Sequence, residues 1–260
     1  MKKNSNYSVL LPTLNEAGHI EKLINEIVKV FKNNQKKYEV IVVDDQSDDG
    51  TIRIVKRIKK KNNNVKIHVR KFGPKNLVMS LKKGIKLSKY DHVIWMDADF
   101  SHPPKYLSNF IKITNSNKHY DILVFSRFIK KSKRYFQVDK SNSVMIDKLS
   151  YFLNKICKFF IFNNFNDYTS GYICIKKNKL KKLKINGYYG DYFINLIVDA
   201  LIRNFNIKEL PYIEKERASG TSKTIGNKID FFIKCYFYFL SLLRGIVKKS
   251  FSSFFYISKK

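Results

Sequence analysis

The chain has 260 residues, of which 44% are hydrophobic and 15% aromatic, so it can bury a sizeable core. This composition excludes a disordered, collagen-like or low-complexity protein, and three widely spaced cysteines without a CxxC pair argue against a disulfide framework or a zinc ribbon. The 51 basic and 21 acidic residues give a formal net charge of +30, which attracts polyanions such as nucleic acid, anionic lipid or phosphorylated substrates.

Strands and helices alternate through the first half of the chain. Apolar, β-branched runs predict strands over residues 7–11, 38–43, 65–69, 92–96 and 121–125. Amphipathic stretches predict helices over residues 15–31 with Asn15 as the cap, from about residue 49, over 77–87 and after the Pro103-Pro104 pair. The alternation predicts an α/β fold, a mostly parallel central sheet with helices on both faces. Ligands bind beyond the carboxyl ends of the strands in such sheets.

After about residue 130 the alternation weakens. The pattern predicts a helix over residues 141–162, a strand over 171–175, a helix over 190–205, a strand over 207–213 and a polar loop over 214–228. From Ile229 the tail is apolar and aromatic, and residues 215–260 include ten basic and two acidic residues. We therefore predict one α/β domain over residues 1–228 and a basic, aromatic helical segment over residues 229–260.

This tail has the composition of a helix that lies on a membrane surface, because Lys and Arg interrupt its apolar residues. No window of 18 uncharged apolar residues exists in the sequence, so no spanning helix is predicted. The apolar run before Pro12 is too short for the core of a signal peptide. These features predict a cytoplasmic protein, peripheral on the inner face of the membrane. Packing of the tail on the domain, or an oligomer contact, is the alternative.

The triplet Asp97-Ala98-Asp99 directly follows the predicted strand at residues 92–96. Two carboxylates one residue apart at a strand end can together hold a hard divalent cation, and Mg²⁺ usually shares such ligands with substrate phosphates. The alternative is a structural role, because Asp99 or Ser101 could cap the helix that the Pro103-Pro104 pair begins.

A second acidic turn, Asp44-Asp45, follows the predicted strand at residues 38–43. Its carboxylates could accept hydrogen bonds from a nucleobase or a ribose, whereas Asp48 or Asp49 in the same turn could cap the next helix. An Asp pair at a strand end could also form the acidic pocket of a receiver domain. The later strand ends carry the DxD triplet and a Ser-Arg pair, which fit that pocket poorly.

A polar loop near the C-terminus carries a basic residue at each end, Arg217 and Lys223, around Ser and Gly. Such a loop could close over a diphosphate, because Arg makes bidentate contacts and Lys supplies a point charge. An ordinary solvated basic loop is the alternative in a chain with this many lysines.

Taken together and in order, these motifs resemble the family-2 glycosyltransferases of the GT-A fold. The branch with the greatest similarity is that of the dolichol-phosphate mannosyltransferases and other polyprenyl-phosphate glycosyltransferases. The matching stretches lie at residues 7–20, 38–51, 92–107, 121–128, 167–172 and 216–223. Among them, DADFSHPP and ERASGTSK make the resemblance specific.

The resemblance implies a role for each motif within a catalytic domain over residues 1–228. Pro12, Leu14 and Glu16 would line the nucleotide pocket, and Asp45, with Asp44 beside it, would contact the base. The second group of motif residues would act on the phosphates. Asp97 and Asp99 would bind Mg²⁺ or Mn²⁺ bridging the donor diphosphate, with Ser101 completing the metal shell and Ala98 in the donor site. Arg127 would face phosphate groups near the acceptor, and Arg217 and Lys223 would hold the diphosphate.

The implied reaction is metal-dependent, inverting transfer of a sugar from a nucleotide donor, with GDP-mannose as the first expectation, to a polyprenyl (dolichyl or undecaprenyl) phosphate. Such an acceptor needs no strong general base, because a phosphomonoester with a second pKa of about 6 is already largely ionised. The alternative acceptor is a sugar hydroxyl in a cell-surface glycan, which requires a base, and Asp191 is the candidate. Residues 72–76 depart from the Gly-Leu-Gly-like turn of the family, so the donor sugar stays open.

The positive charge by itself does not predict a specific nucleic-acid partner. The sequence carries no RNP, helix-turn-helix or zinc signature. Lys far outnumbers Arg, which suits weak attraction to a phosphate backbone more than base reading. The expected partners are therefore a sugar nucleotide (a GDP- or UDP-sugar), polyprenyl phosphate and a membrane surface, with no specific nucleic acid.

Overall fold

The computed structural model describes residues 5–132, 141–214 and 228–257. Within these ranges the strands are β1 (Tyr7–Thr13), β2 (Tyr38–Asp44), β3 (Val65–Val69), β4 (His92–Trp95), β5 (Ile122–Ser126), β6 (Ile173–Lys176) and β7 (Ile207–Pro211). The helices are α1 (Ile20–Asn33), α2 (Thr51–Lys61), α3 (Leu77–Leu87), α4 (Leu107–Thr114), α5 (Ser141–Phe160), α6 (Lys177–Leu180), α7 (Tyr192–Ile202) and α8 (Lys228–Ile257). A single 3-10 turn at Pro104–Tyr106 leads into α4.

These strands form one sheet in the order β3-β2-β1-β4-β6-β5-β7. The pairs β1/β2, β2/β3, β1/β4 and β5/β7 are parallel, while β6 runs antiparallel to both β4 and β5. The mostly parallel sheet predicted from the sequence is therefore confirmed. Strand order reverses between β1 and β4. In sheets of this kind, ligands bind in the crevice that such a reversal creates at the carboxyl ends of the strands.

Helices cover both faces of the sheet, as predicted. Successive side chains of a strand point to opposite faces, so alternate residues of β1 belong to different cores. Val9 and Leu11 pack in one hydrophobic cluster with α1, α2 and α4. Leu10 packs in the other, which includes buried residues of α3 and α7. Because both faces of the sheet are buried, the sequences of strands such as β2 and β5 are nearly continuous apolar runs and do not alternate between apolar and polar residues.

The first helix begins later than the sequence predicts. Asn15 was expected to cap it, but α1 begins at Ile20, with His19 at the capping position. Asn15 has a φ of +56°, and its backbone N–H donates to Ser47 Oγ at 2.8 Å. Its side-chain oxygen accepts from the backbone N–H of Asp48 at 3.1 Å. The capping prediction is wrong because Asn15 instead ties the loop after β1 to the loop after β2.

One face of α8 packs against α7 and the end of α5. Ser241 is buried and lies 2.9 Å from Asn195 Nδ2, while Gly245 faces Ile161 and Val198. The opposite face exposes a row of apolar side chains: Ile229, Phe232, Ile233, Tyr236, Phe239, Leu243, Val247 and Phe251. In the part of the chain that the structure describes, no helix is long and apolar enough to cross a membrane. The division at residue 228 stays a prediction.

Candidate active site

The predicted site residues at the ends of β1, β2 and β4 lie along one edge of the sheet. In the parallel register Thr13 pairs with Asp44, and Leu10 of β1 pairs with Trp95 of β4. The loops after these strands, which carry Leu14 and Glu16, Asp45, and Asp97 to Ser101, therefore border the crevice between β1 and β4.

The DxD turn is held in place from its backbone. The N–H of Asp97 donates to Nδ1 of the buried His102 at 2.9 Å, and the His102 ring stacks on Tyr172 with centroids 4.8 Å apart. Phe100 has a φ of +68°, a conformation that a residue other than glycine adopts at an energetic cost. Asp97 is exposed, whereas Ala98 and Asp99 are buried. The turn thus presents the Asp97 carboxylate to solvent and keeps the Asp99 carboxylate buried.

Asp99 and Ser101 contact each other directly. Asp99 Oδ1 accepts from the backbone N–H of Ser101 at 3.0 Å and from its Oγ at 2.6 Å. Among the residues described, no group of three or more His, Cys, Asp or Glu side chains could hold a metal ion. Two carboxylates and a hydroxyl fit Mg²⁺ or Mn²⁺ only if substrate oxygens or water complete the shell, which is how Mg²⁺ is commonly bound.

Two buried tyrosines, Tyr192 and Tyr212, lie near enough to Asp97 for its charge to act on them. Tyr192, the first residue of α7, accepts a hydrogen bond from Trp95 Nε1 at 2.9 Å. Burial raises the pKa of Tyr192, and the negative charge of Asp97 raises it further. Burial likewise raises the pKa of Tyr212, which follows β7 and is also influenced by Asp97. These hydroxyls stay neutral, so they add no negative charge beside the DxD carboxylates.

The two aspartates after β2 have different surroundings. Asp44 is fully buried and accepts from Thr13 Oγ1 at 2.9 Å and from Ser47 Oγ at 2.7 Å, so it fixes the turn. Asp45 contacts the Arg70 guanidinium and the backbone N–H of Asn76. Burial raises the pKa of Asp45, although both of these partners act in the opposite direction.

Arg70 and Asn76 were not predicted as site residues. Arg70 follows β3, and a basic residue at the end of a strand was the one signal in the sequence that could have pointed to it. Asn76 caps α3, accepting from the N–H of Met79 at 3.0 Å, and its side-chain N–H donates to the backbone oxygen of Tyr188 at 3.2 Å.

The three residues predicted to line the nucleotide pocket near β1 differ in how far they are buried. Pro12 pairs with Val43 inside the sheet and is half-buried, as is Leu14. Glu16 is buried, and its carboxylate lies 2.8 Å from His19 Nε2 at the start of α1. Its backbone N–H donates to Thr51 Oγ1 at 2.8 Å. The Glu16 carboxylate thus binds within the protein, and its contact with a nucleotide stays a prediction.

Arg127, predicted to face phosphates, forms a buried ion pair. Its Nε and Nη2 donate to the two carboxylate oxygens of Asp167 at 2.9 and 2.8 Å, and Nη2 also donates to Thr169 Oγ1 at 2.7 Å. Glu214 lies 3.6 Å from Nη1. Burial opposes the charge on Arg127, but Asp167 and Glu214 act together in the opposite direction and the pKa of the guanidinium is raised. The Arg127 guanidinium therefore links the end of β5 to the segment before β6. Its contact with a phosphate stays a prediction.

Asp191, the candidate base for a hydroxyl acceptor, is 1% exposed. Its Oδ1 accepts from the backbone N–H groups of Tyr188 and Tyr189 at 2.9 and 2.7 Å, and Oδ2 accepts from Ser241 Oγ at 3.1 Å. These contacts give it a structural role at the α7–α8 junction. Arg217 and Lys223 lie outside the described residues.

Residues 8–184 match the family described as Glycosyl transferase family 2. A dolichol-phosphate mannosyltransferase from Pyrococcus furiosus is 27% identical over 229 residues, covering 85% of this chain and 60% of that protein. A Mycoplasma genitalium protein named as an uncharacterized glycosyltransferase is 31% identical over 161 residues, covering 59% of this chain and 54% of that protein. The chain thus spans less than two thirds of the length of either relative.

Solved structures of glucosyl-3-phosphoglycerate synthase from Mycobacterium tuberculosis share the architecture. The complex with Mn²⁺, UDP-glucose and phosphoglyceric acid superposes with a TM-score of 0.68 at 15% identity, covering 93% of this chain and 80% of that one. The complex with Mn²⁺, UDP and glucosyl-3-phosphoglycerate gives a TM-score of 0.65 at 16% identity, over the same shares of the two chains. At such identity the likeness concerns the fold alone, and it confirms the GT-A architecture.

Proposed function

The chain belongs to glycosyl transferase family 2, and from this premise we propose that it transfers a sugar from a nucleoside diphosphate sugar to a polyprenyl phosphate, with inversion at the anomeric carbon. GDP-mannose is the first donor to test, because a dolichol-phosphate mannosyltransferase aligns with 85% of the chain. The observation that carries the proposal is the pair Asp97 and Asp99 at the end of β4, beside the crevice where strand order reverses.

Asp97, Asp99 and Ser101 are the residues that would hold Mg²⁺ or Mn²⁺. A divalent cation there would act as a Lewis acid toward the diphosphate of the leaving nucleotide. The exposed Asp97 can reach a ligand that enters from solvent, and Ser101 keeps Asp99 in a fixed orientation through its two hydrogen bonds. Binding of Mn²⁺ with UDP by the Mycobacterium tuberculosis enzyme supports a divalent metal in this fold.

The residues of the chain contribute by binding and orientation. Both oxygens of Asp45 already accept hydrogen bonds, from Arg70 and from the N–H of Asn76, so Asp45 would accept from the base through the second lone pair of each oxygen. The predicted roles of Arg217 and Lys223 are to hold the diphosphate as negative charge develops on it. The acceptor phosphate oxygen would attack the anomeric carbon on the face opposite the diphosphate, so an α-linked donor gives a β-linked product. No proton has to leave an ionised phosphate during this attack.

A phosphate acceptor agrees better with the site than a sugar hydroxyl does. A hydroxyl acceptor requires a base, and the candidate Asp191 is buried and already accepts hydrogen bonds from two backbone N–H groups and from Ser241. No observation on the described residues favours the hydroxyl alternative, and we do not propose it.

A lipid acceptor requires access to a membrane, and we propose that the exposed face of α8 provides it at the inner face of the membrane. Apolar side chains such as Phe232, Tyr236 and Phe239 lie outward on that face, with Arg244 and Lys248 exposed on the same helix. A helix of this kind lies in the interface rather than across it, and each basic residue near an anionic surface contributes about 1 kcal/mol.

The membrane proposal is tested by flotation with vesicles of phosphatidylglycerol or of phosphatidylcholine alone. The protein should float with the anionic vesicles, and the variant Phe232→Ser/Phe239→Ser should not. Equal flotation of the variant, or absence of the wild type from both kinds of vesicle, would contradict a membrane role for this face.

Transfer is tested by incubating the protein with radiolabelled GDP-mannose or UDP-glucose, polyprenyl phosphate and Mn²⁺. Asp97→Asn and Asp99→Asn should each lower the rate by about 100-fold or more, the loss typical of removing one group that stabilises transition-state charge. Asp91→Asn is the matched control, because Asp91 is exposed at the opposite end of β4. Full activity in both variants, or no lipid product with any donor, would refute the proposal.

A further inference from the structure

The loop between β3 and α3, residues 70–76, is fixed to the edge of the sheet by side chains that lie beneath it. Arg70 contacts Asp45, and its Nη2 donates to the backbone oxygen of Pro74 at 3.2 Å. Gln46 Nε2 donates to the backbone oxygen of Gly73 at 3.3 Å. Gly73 has a φ of +86°, which glycine adopts without strain and which lets the loop turn back over Arg70.

Phe72 projects from this fixed loop into solvent. It is 86% exposed, the highest value among the large hydrophobic side chains that the structure describes. Arg70, two residues before it, contacts Asp45, and the backbone oxygen of Gly73, directly after it, accepts from Gln46. The backbone that carries the ring is thus anchored to Asp45 and Gln46, while the ring itself is not packed against the protein.

The loop lies where the base of a bound nucleotide would be. Asp44 at the end of β2 pairs with Val69 at the end of β3, so residues 70–76 continue the same edge of the sheet. From the DxD triplet after β4, the ends of β1, β2 and β3 follow at successive strand spacings of about 4.8 Å. A nucleoside diphosphate with its phosphates at Asp97 and Asp99 would extend along this edge and would bring its base to β2 and β3.

We propose that Phe72 stacks on the face of the donor nucleobase while Asp45 accepts hydrogen bonds from its edge. This inference rests on the proposed function and adds a binding residue to it. The flat aromatic ring matches any nucleobase, because every base has a π-face, so Phe72 supplies affinity and leaves the choice of base to polar contacts. The anchored backbone has little conformational freedom left to lose on binding, so the entropic cost is mainly that of ordering the Phe72 side chain.

Isothermal titration of GDP, UDP and inorganic pyrophosphate, each with Mn²⁺, tests this role on the full chain. Phe72→Ala should weaken binding of the nucleotides by about fivefold or more and leave pyrophosphate binding unchanged. Phe72→Trp should keep nucleotide affinity, and the fluorescence of the new exposed Trp should be quenched when the base stacks on it. Leu87→Ala is the matched control, because Leu87 is exposed at the far end of α3.

Two results separate failure of this inference from failure of the proposed function. If the wild type binds nucleotides and Phe72→Ala binds them equally well, or weakens pyrophosphate to the same degree, the stacking role is wrong and the function stands. If the wild type binds neither GDP nor UDP, both are overturned. Since Phe72 is exposed, its replacement leaves the core intact, and circular dichroism should give the same spectrum for all variants.

Discussion

The pair Arg127–Asp167 gives a quantitative prediction about stability. Asp167 is fully buried, the Arg127 side chain is 10% exposed, and Asp167 accepts from both Nε and the backbone N–H of Arg127. The change Asp167→Ala removes the carboxylate that makes the short contacts and leaves the buried guanidinium with the longer contact to Glu214 at 3.6 Å. Removing one member of a buried ion pair costs about 3–5 kcal/mol, so the free energy of unfolding should fall by that amount.

Urea titration measures this loss, with the fluorescence of Trp95 as the signal, because it is the single tryptophan and lies in the core. The pair Arg57–Glu21 is a chemically matched control, with an N–O distance of 2.6 Å but side chains 58% and 47% exposed. Glu21→Ala should therefore cost at most about 1 kcal/mol. Equal losses in the two variants, or a loss below about 1 kcal/mol for Asp167→Ala, would refute the reasoning.

The same pair predicts how stability depends on pH. Burial alone would raise the pKa of Asp167, but the Arg127 guanidinium and the backbone N–H groups of Arg127 and Thr169 together lower it. A carboxylate with a lowered pKa stabilises the fold fully above its unfolded pKa of about 3.9, and the stabilisation is lost as pH falls through the folded value. The difference in unfolding free energy between wild type and Asp167→Ala should hold from pH 7 to about pH 4 and shrink below it. A difference that stays constant at lower pH would contradict this assignment.

Three other substitutions test single contacts of the site. His102→Phe removes the acceptor for the N–H of Asp97, so urea titration should show a loss of about 1–3 kcal/mol, and Mn²⁺ should bind more weakly in calorimetry. Asp191→Asn should keep most of the transfer rate in the radiolabel assay; a loss of about 100-fold or more at unchanged stability would instead indicate a general base. Gly187→Ala would bring a Cβ to 2.6 Å from the backbone N of Tyr192, which should destabilise the fold by about 1–3 kcal/mol and lower the thermal midpoint. An unchanged midpoint would show that the backbone moves to make room for the Cβ at no cost in stability.

The sequence was sufficient for most elements of the first half of the chain, with the start of α1 as the exception. Strand β3 and helix α3 have the bounds predicted from it, β1, β2 and β4 differ by one or two residues at their carboxyl ends, and β5 lies one residue later than predicted. These elements follow from local properties, namely β-branched runs and the helical spacing of apolar residues, and each can be recognised without knowing its neighbours. The DxD triplet was found in the same way, because its meaning comes from the strand directly before it.

The antiparallel strand β6 shows where that reasoning ends. Its apolar run was recognised, but nothing in its residues indicates that it inserts between β4 and β5 and runs opposite to both. Strand order and direction depend on which edges remain free after the other strands have paired, which is a property of the whole sheet. The packing of α8 on α7 through Ser241 is of the same kind.

The partners of the charged site residues were decided only by the tertiary structure. Arg127 was expected at a phosphate and binds Asp167, 40 residues away, while Asp45 binds Arg70, 25 residues away. The sequence determined which residues carry charge and at which strand ends they lie, because hydrophobic periodicity is local. Which charge meets which depends on contacts between distant segments, since a buried charge takes the nearest opposite charge that folding brings to it.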